Sequence, residues 1–183
     1  TWSCRWPRRV SDGRSGARAP RSFWSSSASG VGAAQFCIDE AVAYAIDRDT
    51  LIKTILRGEA SRLDGPIGAG QYGYDPDLKP RYTYNPEKAR ELLKQAGYPN
   101  GVDVELQTPV GRYTLDKQLT EAMVPMLNAV GIRAKLLTPE WATLWANVQV
   151  GKVPFYYMGR GGVVDPSAAL SQYFETGKSP RIG

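Results

Sequence analysis

Apolar positions in this chain switch repeatedly between a helical period and a strand period, most clearly from residue 84 onward. Ala89, Leu92, Leu93 and Ala96 recur at i, i+3, i+4 and i+7, which is one face of an α-helix. The flanking residues punctuate that helix. Asn85 is a good N-cap, Pro86 suits the first helical position, Gly97 supplies a left-handed residue at the end, and Pro99 blocks continuation. After the turn at Asn100–Gly101, Val102, Val104 and Leu106 alternate with Asp103 and Glu105 and predict a strand with one polar face. A helix from about Thr114 carries the stripe Leu115, Leu119, Ala122, Met123, Met126, Leu127 and Val130; Pro125 should bend it and Gly131 ends it. Ile132, Ala134 and Leu136 predict a second strand. Trp141, Leu144, Trp145 and Val148 predict a helix opened by Thr138-Pro139-Glu140 and closed by Gly151. Val153 to Met158 predicts a third strand, and Asp165-Pro166 should cap a last helix through Leu170 and Phe174. Leu93 and Trp145 are both expected to be buried.

Upstream, Ile38 to Ile46 is apolar enough for a buried helix. Asp47 should cap a second helix, Arg48 to Leu56, with Leu51, Ile52, Ile55 and Leu56 toward the core and Gly58 at its end. Glu59 to Thr83 is rich in Gly and Pro and predicts a long connecting loop, a kind of segment that is often functional. Strand, helix, strand, helix, strand with short joints implies an α/β fold with parallel strands and right-handed crossovers. No internal repeat is visible.

In an open sheet of that kind, ligands gather at the carboxyl ends of the strands. Here those ends are Thr108 to Tyr113, Thr138-Pro139, and Gly159 to Asp165. The candidate ligand-binding residues are therefore Arg112, Tyr113, Arg160, Gly161, Gly162 and Val163. Glycines let a backbone approach a ligand and present its N–H groups, and Arg160 adds a forked donor for a carboxylate. The competing reading is a plain turn with Arg160 solvated.

Charge changes the picture at the amino terminus. Of 23 basic and 18 acidic residues, residues 1–36 hold six Arg and one Asp, a net of +5. Residues 37–183 hold the other 17 of each sign and are neutral overall. The basic segment is rich in Ser, Gly, Arg and Pro and shows no period, so it is expected to be disordered or loosely attached. With Trp2, Trp6, Phe23 and Trp24 it could act as a nucleic-acid-binding arm. The stronger reading is a misassigned start, a frame-shifted stretch or a vector-like leader. It has no apolar run of the kind a secretory signal needs, and no stretch of the chain is long enough to span a bilayer. Cys4 and Cys37 could pair, but two cysteines support no disulfide framework.

Candidate catalysis is thin. With no His, Ser-His-Asp and Cys-His arrangements and the commonest zinc sites are excluded. No Gly-x-Ser-x-Gly elbow or Walker loop occurs, and Gly159-x-Gly161 lacks the third glycine of a dinucleotide fingerprint. Asp75 and Asp77 lie in a predicted turn, where carboxylates cap backbone groups. No catalytic residue, cofactor or metal is expected.

Three stretches carry a resemblance: Ala41 to Asp49, which includes Ala45-Ile46-Asp47-Arg48; Tyr84 to Gly101; and Glu140 to Leu144 followed by Gly151 to Phe155 and Gly159 to Gly162. In this order and spacing they resemble the peptide-type solute-binding proteins of ABC importers, the dipeptide, oligopeptide and nickel group. The resemblance covers roughly Ile38 to Gly183. It implies a periplasmic-binding-protein-like lobe, incomplete, with 37–183 as a partial lobe and 1–36 foreign to the family pattern. It implies non-catalytic capture of a peptide or other small, possibly anionic, solute outside the cytoplasmic membrane, an ABC permease as partner, no nucleic acid, and a monomer when complete. In peptide binders of this family an aspartate three residues before the Asp-Pro pair often holds the ligand ammonium. This chain has Gly162 there, Asp165 is better explained as a helix cap, and Arg160 replaces the usual aromatic. Both departures weaken the case for a zwitterionic peptide and leave room for an anion.

Overall fold

The computed structural model describes residues 3–4, 30–63, 65, 67–159, 165 and 167. In chain order these form β1 (Ser3–Cys4), α1 (Gly30–Ala45), α2 (Arg48–Thr54), α3 (Pro86–Gln95), β2 (Val102–Gln107), α4 (Asp116–Ala129), β3 (Ile132–Leu137), α5 (Trp141–Gln149) and β4 (Phe155–Tyr156). The sheet order is β1-β4-β2-β3. β2 pairs parallel with β3 from Val102↔Ile132 to Gln107↔Leu137, and parallel with β4 at Gln107↔Tyr156. β1 pairs antiparallel with β4, Ser3 opposite Tyr156.

The α3 punctuation forms as its residues dictate. Asn85 Oδ1 accepts from Lys88 N at 2.9 Å. At the other end Gly97, at φ +88°, lets Tyr98 N return to Leu93 O at 2.9 Å. Asp47 likewise caps α2 by accepting from Thr50 N at 3.0 Å. One core joins α1, α3 and α4 to one sheet face through residues such as Ile38, Ala41, Leu93, Leu106, Leu127 and Phe155. Tyr156, next along β4, points to the opposite face and packs with Leu144 and Val148 of α5. So α4 and α5 cover opposite faces, as right-handed crossovers stepping first one way and then the other require. Beyond α5 the second face is polar: Asp103 and Glu105 stand exposed opposite Arg133 and Lys135.

Several boundaries differ from expectation. α1 begins at Gly30 rather than Ile38, because its first turns are built of small residues that carry no apolar period. With β1, it extends the described elements into the 1–36 segment. α4 begins at Asp116 rather than Thr114, since Leu115 sits in the left-handed region at φ 53°. β4 spans two residues rather than six. Pro125 is exposed, and the chain stays helical through it to Ala129. Leu93 is 2% exposed, but Trp145 is only half-buried. Cys37 carries a free thiol. Most of the expected last helix lies outside the described residues, although Asp165 Oδ1 does accept from Ser167 N at 2.8 Å. Among the described residues no helix is long and apolar enough to cross a membrane.

Candidate functional site

Because β2, β3 and β4 run parallel, the loops that follow them leave from one edge of the sheet. The loop after β2 starts in the core: Thr108 is fully buried, and its N–H donates to Leu137 O at 3.0 Å. It then turns through Gly111 at φ 74° and exposes Val110 and Arg112. One buried carboxylate sets its shape. Asp116 accepts from the N–H groups of Gly111, Arg112, Tyr113 and Lys117 at 3.1, 2.9, 3.0 and 2.8 Å. Burial alone would raise its pKa, but the four backbone donors outweigh that and hold the carboxyl below its ordinary 3.8.

Around this loop the edge is aromatic. The Tyr113 ring meets Trp141 edge-on at 5.9 Å and Tyr157 at 6.4 Å, and Trp141 stacks on Trp145 at 5.4 Å. The Arg112 guanidinium lies over Trp141 at 5.0 Å and over Tyr113 at 5.8 Å, within cation–π range. Trp141 is placed by the start of α5, where Glu140 accepts from Ala142 N at 2.8 Å and Thr143 N at 3.1 Å. Those backbone bonds, Ala142 first, hold the Glu140 carboxyl below its usual range. Tyr157 follows β4, and its N–H donates to Gln107 O at 2.8 Å. Burial, then the Asp116 charge and Tyr113, push its phenol up. Gly159 runs against the Tyr113 ring so closely that a Cβ there would stand 2.6 Å from Cδ1.

Of the expected site residues, Arg112 and Tyr113 come together at this edge. Arg160, Gly161, Gly162 and Val163 lie outside the described residues. Trp141 and Tyr157 were not among the candidates, although each sits within four residues of a strand end and so carried a usable signal. Chemically the edge offers a half-buried aromatic floor with one exposed cation above it. The carboxylates of Asp116 and Glu140 beside it are engaged by backbone N–H groups. Among the described residues no group of three His, Cys, Asp or Glu stands together to hold a metal.

Residues 40–180 match the family described as bacterial extracellular solute-binding proteins, family 5 Middle. The chain belongs to that family. The Escherichia coli dipeptide-binding protein is 31% identical over 146 residues, covering 78% of this chain and 27% of its own length. The glutathione-binding protein GsiB of Pectobacterium atrosepticum is 33% identical over 150 residues, covering 78% and 28%. Among solved structures, the periplasmic binding protein DppA of Helicobacter pylori in complex with the peptide STSA superposes with a TM-score of 0.65 at 30% identity, covering 73% of this chain and 26% of that one. A binding protein of Agrobacterium tumefaciens R10 in complex with agropinic acid gives 0.68 at 32%, covering 80% and 31%. The parallel sheet and its helices are thus the periplasmic-binding-protein fold. This family-5 chain spans little more than a quarter of the length of the curated relatives it matches.

Proposed function

We propose that this chain is part of one lobe of a solute-binding protein that captures a small solute without chemically altering it and delivers it to an ABC importer. The observation that carries the reading is the gathering of Arg112, Tyr113, Trp141 and Tyr157 at the carboxyl edge of a parallel sheet in a family of solute-binding proteins. The solute is a peptide or another small molecule that presents a carboxylate or similar anion to Arg112. Arg160, Gly161, Gly162 and Val163 would face the same solute from the next loop. The relatives supply the ligand range, from dipeptides and glutathione to an acidic small molecule. The protein would act outside the cytoplasmic membrane, as a monomer when complete, with a second lobe closing over the solute. The nucleic-acid reading of residues 1–36 draws no support from the relatives.

The test is a graft in which residues 40–180 replace the matching segment of the E. coli dipeptide-binding protein. The chain alone should bind small peptides weakly or undetectably, since half the enclosing surface is missing. The graft should bind carboxylate-bearing solutes in calorimetry. Arg112→Ala and Arg160→Ala should each weaken that binding by roughly 1.5–3 kcal/mol, the scale of a charge-assisted hydrogen bond. Unchanged affinity in both variants, for every solute the graft binds, would remove the site assignment.

A further inference from the structure

Asp116 fixes the backbone of Tyr113 by accepting from its N–H at 3.0 Å, but a bond at the N–H does not choose the direction of the ring. That direction is set by what surrounds the ring. Trp141, at the start of α5, and Tyr157, at the exit of β4, meet it edge-on at 5.9 and 6.4 Å. Gly159, two residues beyond Tyr157, supplies a third contact. A Cβ there would stand 2.6, 2.9 and 3.0 Å from Cδ1, Cγ and Cε1 of the ring, where carbon atoms in contact keep about 3.5–4.0 Å apart. Cγ is the first ring atom, so it gives way only if the whole ring leaves its place. The φ of Gly159 lies outside the left-handed region, so its backbone does not call for glycine. What calls for it is the ring.

The Arg112 guanidinium in turn rests over two rings, Tyr113 at 5.8 Å and Trp141 at 5.0 Å. A line of contacts thus runs from the bare backbone after β4, through Tyr113, to the exposed cation. We infer that Gly159 is a positioning residue of the solute site: its missing side chain seats the Tyr113 ring, and the seated ring sets where Arg112 presents its fork. The inference rests on the solute-binding reading proposed above. It adds to that reading the residue that holds the site's selectivity for a free carboxylate.

The test has two arms. In the full chain, with no solute present, Gly159→Ala and Tyr113→Ala form a double-mutant cycle read by the thermal midpoint. With the ring in place Gly159→Ala should lower the midpoint by several degrees; with the ring removed it should add nothing. Equal shifts in both backgrounds, or none in either, would overturn the inference. A Gly159→Ala chain that does not fold supports it if Tyr113→Ala restores folding, and overturns it otherwise. In the graft described above, calorimetry compares alanylalanine with its C-terminal amide. Gly159→Ala should shrink the preference for the free carboxylate on the order of tenfold, the worth of one charge-assisted hydrogen bond, whereas a loss of stability alone would weaken both probes alike. A graft whose preference is unchanged by Gly159→Ala overturns the inference and leaves the solute reading standing. A graft that binds neither probe, or both alike, removes the carboxylate reading and this inference with it.

Discussion

The two edges of the parallel sheet are built on opposite plans. At the amino edge the backbones of the β2 and β3 entries touch. Val102 N donates to Gly131 O at 2.9 Å, and a Cβ on Gly101 would stand 2.3 Å from that same oxygen. Arg133 closes the edge with a two-pronged bond to Asp103 at 2.7 and 2.8 Å and a third to Asn100 O at 2.9 Å. At the carboxyl edge the strands stay paired through Thr108 N to Leu137 O and Tyr157 N to Gln107 O, and the loops beyond them are lined with half-buried rings. Gly111 turns there at φ +74° with nothing within 4 Å of where a Cβ would be. The first edge packs backbone against backbone; the second leaves open space beside its Gly111 turn. The solute-binding reading proposed above calls for both, a rigid sheet and an open surface beside it.

The largest effect that can break this comparison is a pair of glycine substitutions. Gly101 and Gly111 both sit in the left-handed region, so the backbone term is shared. Gly101→Ala adds a backbone collision and should cost roughly 2–5 kcal/mol; Gly111→Ala should cost about 1 kcal/mol. Urea denaturation of both variants decides it, and equal costs would mean the amino edge is not closed as described.

Next in size is Asp116, the carboxylate that shapes the carboxyl edge. Asp116→Asn keeps the volume but loses the charge, and should cost roughly 1.5–3 kcal/mol at neutral pH. The folded carboxyl titrates below its ordinary 3.8, so on acidification the unfolded chain takes up the proton first. The contribution is therefore whole above about pH 4 and is lost as pH falls through the folded value. Urea midpoints of wild type and variant should converge below about pH 4; a gap that stays constant in acid would show that charge is not what holds the loop.

Arg133→Ala comes third. Both partners of the Asp103 pair are more than half exposed, so the cost should be small, below that of Asp116→Asn, and should shrink in high salt. Smallest is Arg112→Ala, which removes an exposed side chain lying over two rings. It should move stability by less than about 0.5 kcal/mol, while intrinsic tryptophan emission shifts because the cation over Trp141 is gone. A large loss of stability would make Arg112 a structural member of the edge rather than an available one.

The parts of the fold legible in the sequence are those where one residue type has one physical use. Asn85, Pro86 and Gly97 bound α3 because capping, a missing N–H and a left-handed φ each demand them. Alternation placed β2 and β3 to within one residue, each strand running one position past the last apolar residue. The first turns of α1 were invisible because small residues such as Ala33 and Ala34 give no contrast between faces. β4 was overdrawn because Val153 is buried by packing on α5 without joining a strand ladder. The candidate site was legible only in part. Strand ends pointed to Arg112 and Tyr113, but Trp141 and Tyr157 had already been counted as helix stripe and strand. Asp116 hid for a different reason: its partners are backbone amides, which leave no trace in a sequence.

That last arrangement has a consequence for which positions of the loop can change. The frame of the Gly111–Tyr113 loop depends on main-chain atoms and on one acid set back from the tip. The side chains at Val110 and Arg112 take no part in that hydrogen-bonded frame. Selection can therefore exchange those two positions freely while the loop keeps its shape. On the solute-binding reading proposed above, the tip can then be retuned by point substitution, with no redesign of the fold beneath.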